Sequence, residues 1–598
     1  MQPLLKLLPY ARPYWKPAVV ALLFLTAVVG MDLAIPRLIE HLIDEGITAH
    51  NTPVVIQTAL IMVGFSLTSL VFALGNNYTS VAVGSGVARD VREALFLKIQ
   101  SFSYGNLDDF TTGNLMVRLT SDISAFERLV MVALRIGTRA PLLMIGSLIL
   151  MVYTNAQLAL TMLPLLLVTG ALLAWFSVHM EPLYTAMQAK LDRLNTVLQE
   201  NISGVRLVKA FVRADYESER FERANRDYSA ESVRVMQVMS VMSPLLTICV
   251  NAGVVVVIWA GGAQAIAGAL TLGQIVAFSN YLLTTMTPLL MMTMLSNVLA
   301  NGVASAQRVN RVLDTAPEVA VAPEARALPA GAQGRVAFEH VSFRYGGHSR
   351  LVLEDINLTA EPGETVAILG ATGAGKSTLV NLIPRFYDAT SGRVCLDGVD
   401  VRHLDPEAVL AQIAIVPQES ILFTGTIADN IRYGRPEAGE AEVIAAAQAA
   451  QAHDFVTRFP EGYAMHVEER GVNLSGGQKQ RLAIARALLT KPKILILDDS
   501  TSAVDVETET KIQQALESGG WHSAATRAPT TFIVAQRIST VLKADKIVVL
   551  EHGRLAAQGT HAELLRTSPI YQEIYDSQLG GGPQLAAAAA QRTAEAAA

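Results

Sequence analysis

The sequence predicts a membrane α-helical bundle of six transmembrane helices, followed by an α/β domain carrying a phosphate-loop motif. Three observations predict this. Apolar residues make up 51% of the 598 residues and charged residues only 17%, a balance suited to a part-membrane chain. Long apolar runs crowd the first half. From Arg335 onward short β-branched strands alternate with helices, an α/β layout.

The elements follow in chain order. A spanning helix needs about 20 mostly apolar residues. Candidates run near 18–35, 54–74, 140–153, 158–176, 244–259 and 272–298. The third is short in its strictly apolar part and extends back through Arg135 and Arg139. Buried core helices could explain one such run, but six in one half favour spans. The basic residues before the first run lack a small-residue cleavage site after it, so the run reads as a retained span.

Loop charge sets orientation. The connection 84–139 holds Arg89, Arg92, Lys98, Arg118 and Arg128, and 177–243 is richer still in Lys and Arg. The connections 154–157 and 261–273 carry no charge. Both termini are therefore expected in the cytoplasm. The two basic connections read as helices continuing into the cytosol, bent by turns at 103–106 and near 210–215. The Pro- and Ala-rich stretch 314–334 reads as a linker, and the tail 579–598 as low-complexity. The expected domains are thus 1–313, 314–334, 335–578 and 579–598. Net charge of −6 offers no basic field for nucleic acid. Cys249 and Cys395, far apart in sequence, imply neither a disulfide framework nor a metal cluster.

Residues 366–369 read as a buried strand, 370–378 (GATGAGKST) fit G-x-x-x-x-G-K-[ST], and an apolar-periodic helix follows. Glycines let backbone N–H groups approach phosphates, and the helix N-terminus adds positive potential. Lys376 is expected at the β- and γ-phosphates, and Ser377 at Mg²⁺. A second buried strand (KILIL) ends at Asp498, whose carboxylate suits Mg²⁺. The next residue, Asp499, falls where an attacking water would be activated. A third strand leads into Ala535-Gln536-Arg537.

These motifs in this order resemble the nucleotide-binding domain of an ABC transporter over roughly 336–577. The first half resembles the six-helix membrane domain of an ABC exporter of type IV. The resemblance implies ATP and Mg²⁺ as ligands. It implies that Tyr345 stacks on adenine and that Gln418 senses the γ-phosphate and Mg²⁺. Gly370, Thr372, Gly373, Ala374, Gly375, Lys376, Ser377 and Thr378 would hold the phosphates. Leu474-Ser475-Gly476-Gly477-Gln478 matches the signature that closes over nucleotide held by the opposite cassette. Glu468–Gly471 and Ser502–Asp505 match segments that touch the coupling helices and communicate across the cassette dimer.

Two positions depart from the family pattern. Asp499 stands where the family has a catalytic glutamate, its stem shorter by one methylene, about 1.5 Å. Gln536 stands where it has a histidine, and Gln cannot titrate. Both changes weaken one chemical step and leave the binding groups alone. The chain therefore resembles the degenerate-site subunit of bacterial heterodimeric multidrug exporters, working with a second ABC half-transporter in the bacterial inner membrane.

Polar residues within or beside the spans (Asp32, Asn76, Arg135, Arg139, Asn251, Asn280, Asn297) fit either helix–helix bonding or a cargo cavity. Methionines at 236, 239, 242, 286, 291, 292 and 294 fit either core packing or a promiscuous apolar site. The expected cargo is an amphiphilic drug or lipid-like molecule. A homodimeric lipid or peptide exporter and an ATP-gated channel or regulatory subunit remain as alternatives.

Overall fold

A computed structural model describes residues 2–320, 324–329, 331–346, 350–518, 528–535, 537–538 and 541–578, without the side chains at 287, 289–294 and 296. Two compact units result. The first comprises Met1–Gln100 and Thr112–Thr315, the second Ser101–Thr111 and Ala316–Ala598.

The first unit is helical. Among the described residues, five helical stretches are long and apolar enough to cross a membrane: Gln2–Ile47, Thr52–Gln100, Thr112–Thr154, Ala156–Ser203 and Ala214–Ile266. The sixth expected span lies in the 43-residue helix Leu272–Asp314, which includes the side chains not described. The basic connections are helical, as expected, but the turn expected at 103–106 falls at 101–103, because Ser103 and Asn106 form a reciprocal cap that starts the short helix Tyr104–Asp109. Helix Thr52–Gln100 has 49 residues, about 74 Å at 1.5 Å per residue, far more than a bilayer requires. The third span is longer than its apolar core: the helical stretch Thr112–Thr154 runs back through π-helical turns at Arg118–Asp122 and Ala133–Gly137.

Side-chain caps start two of these helices. Asn155 accepts from the Leu158 N–H at 2.8 Å, and Thr271 forms a reciprocal cap with Gln274. Polar groups then tie helices together. Buried Asn76 donates to the Ala21 carbonyl at 2.8 Å. Ser147 and Thr285 share a 2.7 Å bond within a core of Met151, Leu158, Phe278 and Tyr281. Arg139 pairs with Asp32 at 2.8 Å. Asn280 bonds within its own helix, to the Val276 carbonyl. Helix bonding thus accounts for Asn76, and Asp32 and Arg139 have each other. The methionines at 291, 292 and 294 fall among the undescribed side chains.

Among the described residues, the second unit carries two main sheets. One has four strands in the order Leu353–Ala360, Val336–Phe343, Ser391–Leu396, Val399–Asp400, all pairs antiparallel. The other has six, in the order Arg554–Gly559, Lys546–Glu551, Thr365–Leu369, Thr530–Val534, Ile494–Asp498, Ile413–Val416. Its pairs are parallel except for the edge strand Arg554–Gly559. Strand Ile494–Asp498 is buried at all five positions, which explains its unbroken apolar run. Val534 lies opposite both Ile368 and Asp498, so three strands end together. That shared edge is where a parallel α/β sheet presents its ligand-binding loops.

The expected linker is pinned where it is described. Asn106 donates to the Ala316 carbonyl, the Glu318 N–H donates to Asn106, and Arg385 donates to the Ala320 carbonyl. The N–H groups of Gln333, Gly334 and Arg335 all converge on the Asp397 carboxylate. These backbone groups find fixed partners, which the absence of apolar periodicity did not reveal.

Candidate nucleotide site

The phosphate-loop residues sit where strand Thr365–Leu369 meets helix Lys376–Asn381. Gly370, Gly373 and Gly375 have φ of +150°, +82° and +99°. A Cβ at Gly370 would lie 2.3 Å from the Leu550 carbonyl oxygen, and one at Gly375 2.8 Å from Leu353. At Gly373 nothing lies within 4 Å, so the loop's turn faces open space. That space is a cavity of about 800 Å³ lined by Tyr345, Gly370, Ala371, Thr372, Gly373 and Ala374 among others. Its size and its glycine-lined wall suit a nucleotide.

Lys376 is buried and donates to the carbonyls of Gly370 and Ala371 at 2.8 and 3.0 Å. Burial lowers its pKa, while Asp499 and Asp498 nearby oppose that shift. Ser377 donates to Asp498 at 3.0 Å. Burial raises the Asp498 carboxyl; Asp499 adds to this and the Ser377 bond opposes it. Two oxygen ligands held together in a buried, partly desolvated place fit a small divalent cation. Thr378 is buried, and its hydroxyl meets the Tyr345 hydroxyl at 2.9 Å.

Asp499 directly follows the strand. Its φ is +47°, and its N–H donates to the Val534 carbonyl at 3.0 Å. Asp tolerates this left-handed backbone better than most side chains. Gln418 lies 3.4 Å from the Asp499 carboxylate. Burial raises the Asp499 carboxyl, and Lys376 and Arg537 pull it back. Gln536 lies outside the described residues.

The signature residues occupy a separate place. Ser475 caps helix Gly476–Leu489, accepting from the Gln478 N–H at 3.3 Å while Gln478 accepts from the Ser475 N–H at 2.8 Å. A Cβ on Gly477 would lie 2.8 Å from the Ala503 carbonyl. Gln480 also bonds Ser502 and the Ala503 N–H. The structure therefore joins the signature helix to the loop after Asp499. It also gives Gly477 an internal packing reason to be glycine.

The phosphate loop, Tyr345, Gln418, Asp498 and Asp499 gather at one sheet edge, and Ser475–Gln478 caps its own helix. Sequence reasoning missed Phe386 and Tyr387. Tyr104 stacks on Phe386 with ring centroids 4.0 Å apart, and Tyr387 donates to Asp108 at 2.7 Å. A left-handed Arg385, φ +59°, precedes them, its guanidinium clamped by Asp388. The aromatic pair within the run RFYD was the available signal.

A helical membrane unit joined to a phosphate-loop α/β unit defines an ATP-driven membrane transporter. Residues 18–289 match the family described as "ABC transporter transmembrane region", and residues 353–502 match "ABC transporter". The chain is 37% identical over 575 residues to "Uncharacterized ABC transporter ATP-binding protein YfiB" of Bacillus subtilis (strain 168), covering 96% of this chain and 98% of that protein. It is 34% identical over 573 residues to the "ATP-dependent lipid A-core flippase" of Syntrophus aciditrophicus (strain SB), covering 96% and 94%. Among solved structures it matches "Structure of a bacterial Atm1-family ABC exporter with ATP bound" with TM-score 0.79 and 29% identity, covering 95% and 99%. The chain belongs to the ABC transporter family. It has the exporter fold, binds ATP and couples ATP hydrolysis to transport across a membrane.

Proposed function

We propose that this chain is the degenerate-site half of a heterodimeric exporter of amphiphilic drugs or lipid-like molecules. It sits in a bacterial inner membrane, with its ATPase unit and both termini in the cytoplasm. Lys376 and the loop Gly370–Thr378 hold the phosphates, Tyr345 stacks on the base, and Ser377, Gln418 and Asp498 serve Mg²⁺. The cation would neutralise charge on the transferred phosphoryl group. Ser475, Gly476, Gly477 and Gln478 close over nucleotide held by the partner, whose own glutamate and histidine perform the faster hydrolysis.

One observation carries this reading: Asp499, one methylene short, follows an otherwise complete set of binding groups. A misplacement near 1 Å costs roughly 10²-fold in rate. The test is ATP binding and turnover of the purified chain by itself. Tight binding with turnover far below about 1 s⁻¹ supports the reading. Turnover in the ordinary enzymatic range overturns it.

A second reading is a homodimeric lipid exporter. It draws on the 34% and 35% identity to lipid A-core flippases of Syntrophus aciditrophicus and Desulfotalea psychrophila. It requires the chain alone to turn over ATP with lipid stimulation, so the same measurement separates the two.

A further inference from the structure

The chain leaves the parallel sheet after Val534. The Val534 carbonyl still accepts from the Asp499 N–H at 3.0 Å, and the Ala535 N–H donates to the Ile368 carbonyl at 3.2 Å. Ile538, past the end of the strand, is fully buried in the core. A buried N–H there needs a partner, because leaving it unpaired costs as much as a lost hydrogen bond. The partner comes from far along the chain: the Gln578 carboxamide oxygen accepts from the Ile538 N–H at 2.7 Å. Gln578 ends the helix Pro569–Gln578, which is itself firmly seated. Tyr571 is fully buried and its hydroxyl meets His561 at 2.6 Å, while Gln572 donates to the Leu565 carbonyl at 2.6 Å. Ile570 and Ile574 pack on the same core that holds Ile538.

Arg537 directly precedes this anchor. Its guanidinium lies 4.0 Å from the buried Glu509 carboxylate, which accepts from the Thr501 hydroxyl at 2.8 Å. Thr501 stands two residues past Asp499, and the positive charge of Arg537 acts on the Asp499 carboxylate. Glu509 thus holds the charged end of Arg537, and the bond from Ile538 to Gln578 holds its backbone. We propose that Gln578 is a positioning residue for ATP turnover: by holding the Ile538 N–H it sets Arg537 against Glu509 and Asp499. The proposal rests on the reading that Asp499 faces the attacking water. Without the bond the backbone beside Arg537 is released, and a displacement near 1 Å beside reacting groups costs roughly 10²-fold in rate. Lys376, Ser377 and Asp498 keep bonds of their own, so nucleotide affinity is retained. Gln578 also lines the phosphate-loop cavity. Direct contact with nucleotide is therefore the competing role, and it gives the opposite split between kcat and KM.

The test is steady-state ATPase of the full-length chain in lipid. Gln578→Met keeps the length and loses the acceptor; it should lower kcat by about tenfold, the scale of one buried hydrogen bond, with KM for ATP within about twofold. Gln578→Glu keeps an acceptor oxygen and should restore most of kcat. If Gln578 acts through Arg537, Gln578→Met should add little further loss on an Arg537→Gln background. Hydrogen exchange along 569–577 should be unchanged in Gln578→Met. An unchanged kcat, a loss carried by KM, equal losses in the Met and Glu variants, or full additivity with Arg537→Gln overturns the proposal. Faster exchange along 569–577 marks a role in holding the helix and overturns it as well. Asp499→Asn in the same chain tests the underlying reading separately. If it leaves turnover unchanged, Asp499 does not act on the water and the proposal falls with that reading. If Asp499→Asn abolishes turnover while Gln578→Met does nothing, the reading stands and the positioning role fails by itself.

Discussion

At the scale of one residue, the proposed reading turns on Asp499. Its left-handed backbone suits Asp, and its carboxylate sits 3.4 Å from Gln418. Replacing it by Glu sets two effects against each other. The longer stem restores reach worth up to roughly 10²-fold in rate. Backbone strain for the larger side chain costs about 1 kcal/mol, near fivefold. The gain is larger, so Asp499→Glu should raise ATP turnover of the isolated chain by about tenfold. Asp499→Asn should change turnover of the full complex only modestly. Steady-state ATPase assays on both variants check this, and equal crippling of the complex by Asp499→Asn would contradict a weak site. Ser475 gives a cleaner test of the signature than Gly477, because any side chain at Gly477 also strikes the Ala503 carbonyl. Ser475→Ala should cost the helix cap, about 1 kcal/mol of stability. Ser475→Arg should in addition cripple turnover of the pair while nucleotide still labels this chain at Lys376. Subunit-resolved nucleotide crosslinking reads that separation.

At the scale of elements, the segment Ser101–Thr111 depends on Asn106. Its carboxamide is buried; it accepts from the N–H groups of Ser103 and Glu318 and donates to the Ala316 carbonyl. Asn106→Ala leaves these groups without their partner, at about 1–3 kcal/mol each when buried. The expected result is faster hydrogen exchange across 101–111 and 316–318, with the parallel sheet unaffected. Asn106→Asp keeps the acceptor and loses only the donor to Ala316, so its effect should be smaller.

For the whole molecule, asymmetry between two chains is the central expectation. The chain alone should bind ATP and hydrolyse it slowly, because Lys376, Ser377 and Asp498 are in place while Asp499 is short. In the proposed pair, replacing the glutamate expected of the partner by glutamine should nearly abolish turnover, whereas Asp499→Asn should not. Equal losses would mean that both sites share the work. Two-domain coupling adds a further reason to measure the assembled protein. Segment Ser101–Thr111 packs with the ATPase unit although the chain on either side of it belongs to the membrane unit.

Much of this was legible in the chain itself. Local rules fix the glycine loop before Lys376, the buried strand ending at Asp498 and the long basic helices: β-branched runs make strands, and long apolar runs make spans. They cannot report partners hundreds of residues away. A linker without periodicity proved anchored, because the N–H groups of 333–335 find Asp397 some sixty residues on. The pairing of Asp32 with Arg139 and of Tyr387 with Asp108 likewise needed folded geometry. By itself the sequence determined the order of elements and the place of the phosphate-loop motif, since both are written in local pattern and side-chain chemistry. Only the tertiary structure decided which polar groups satisfy one another and that Gly477 must clear Ala503, because those are distances set by packing and not by spacing along the chain.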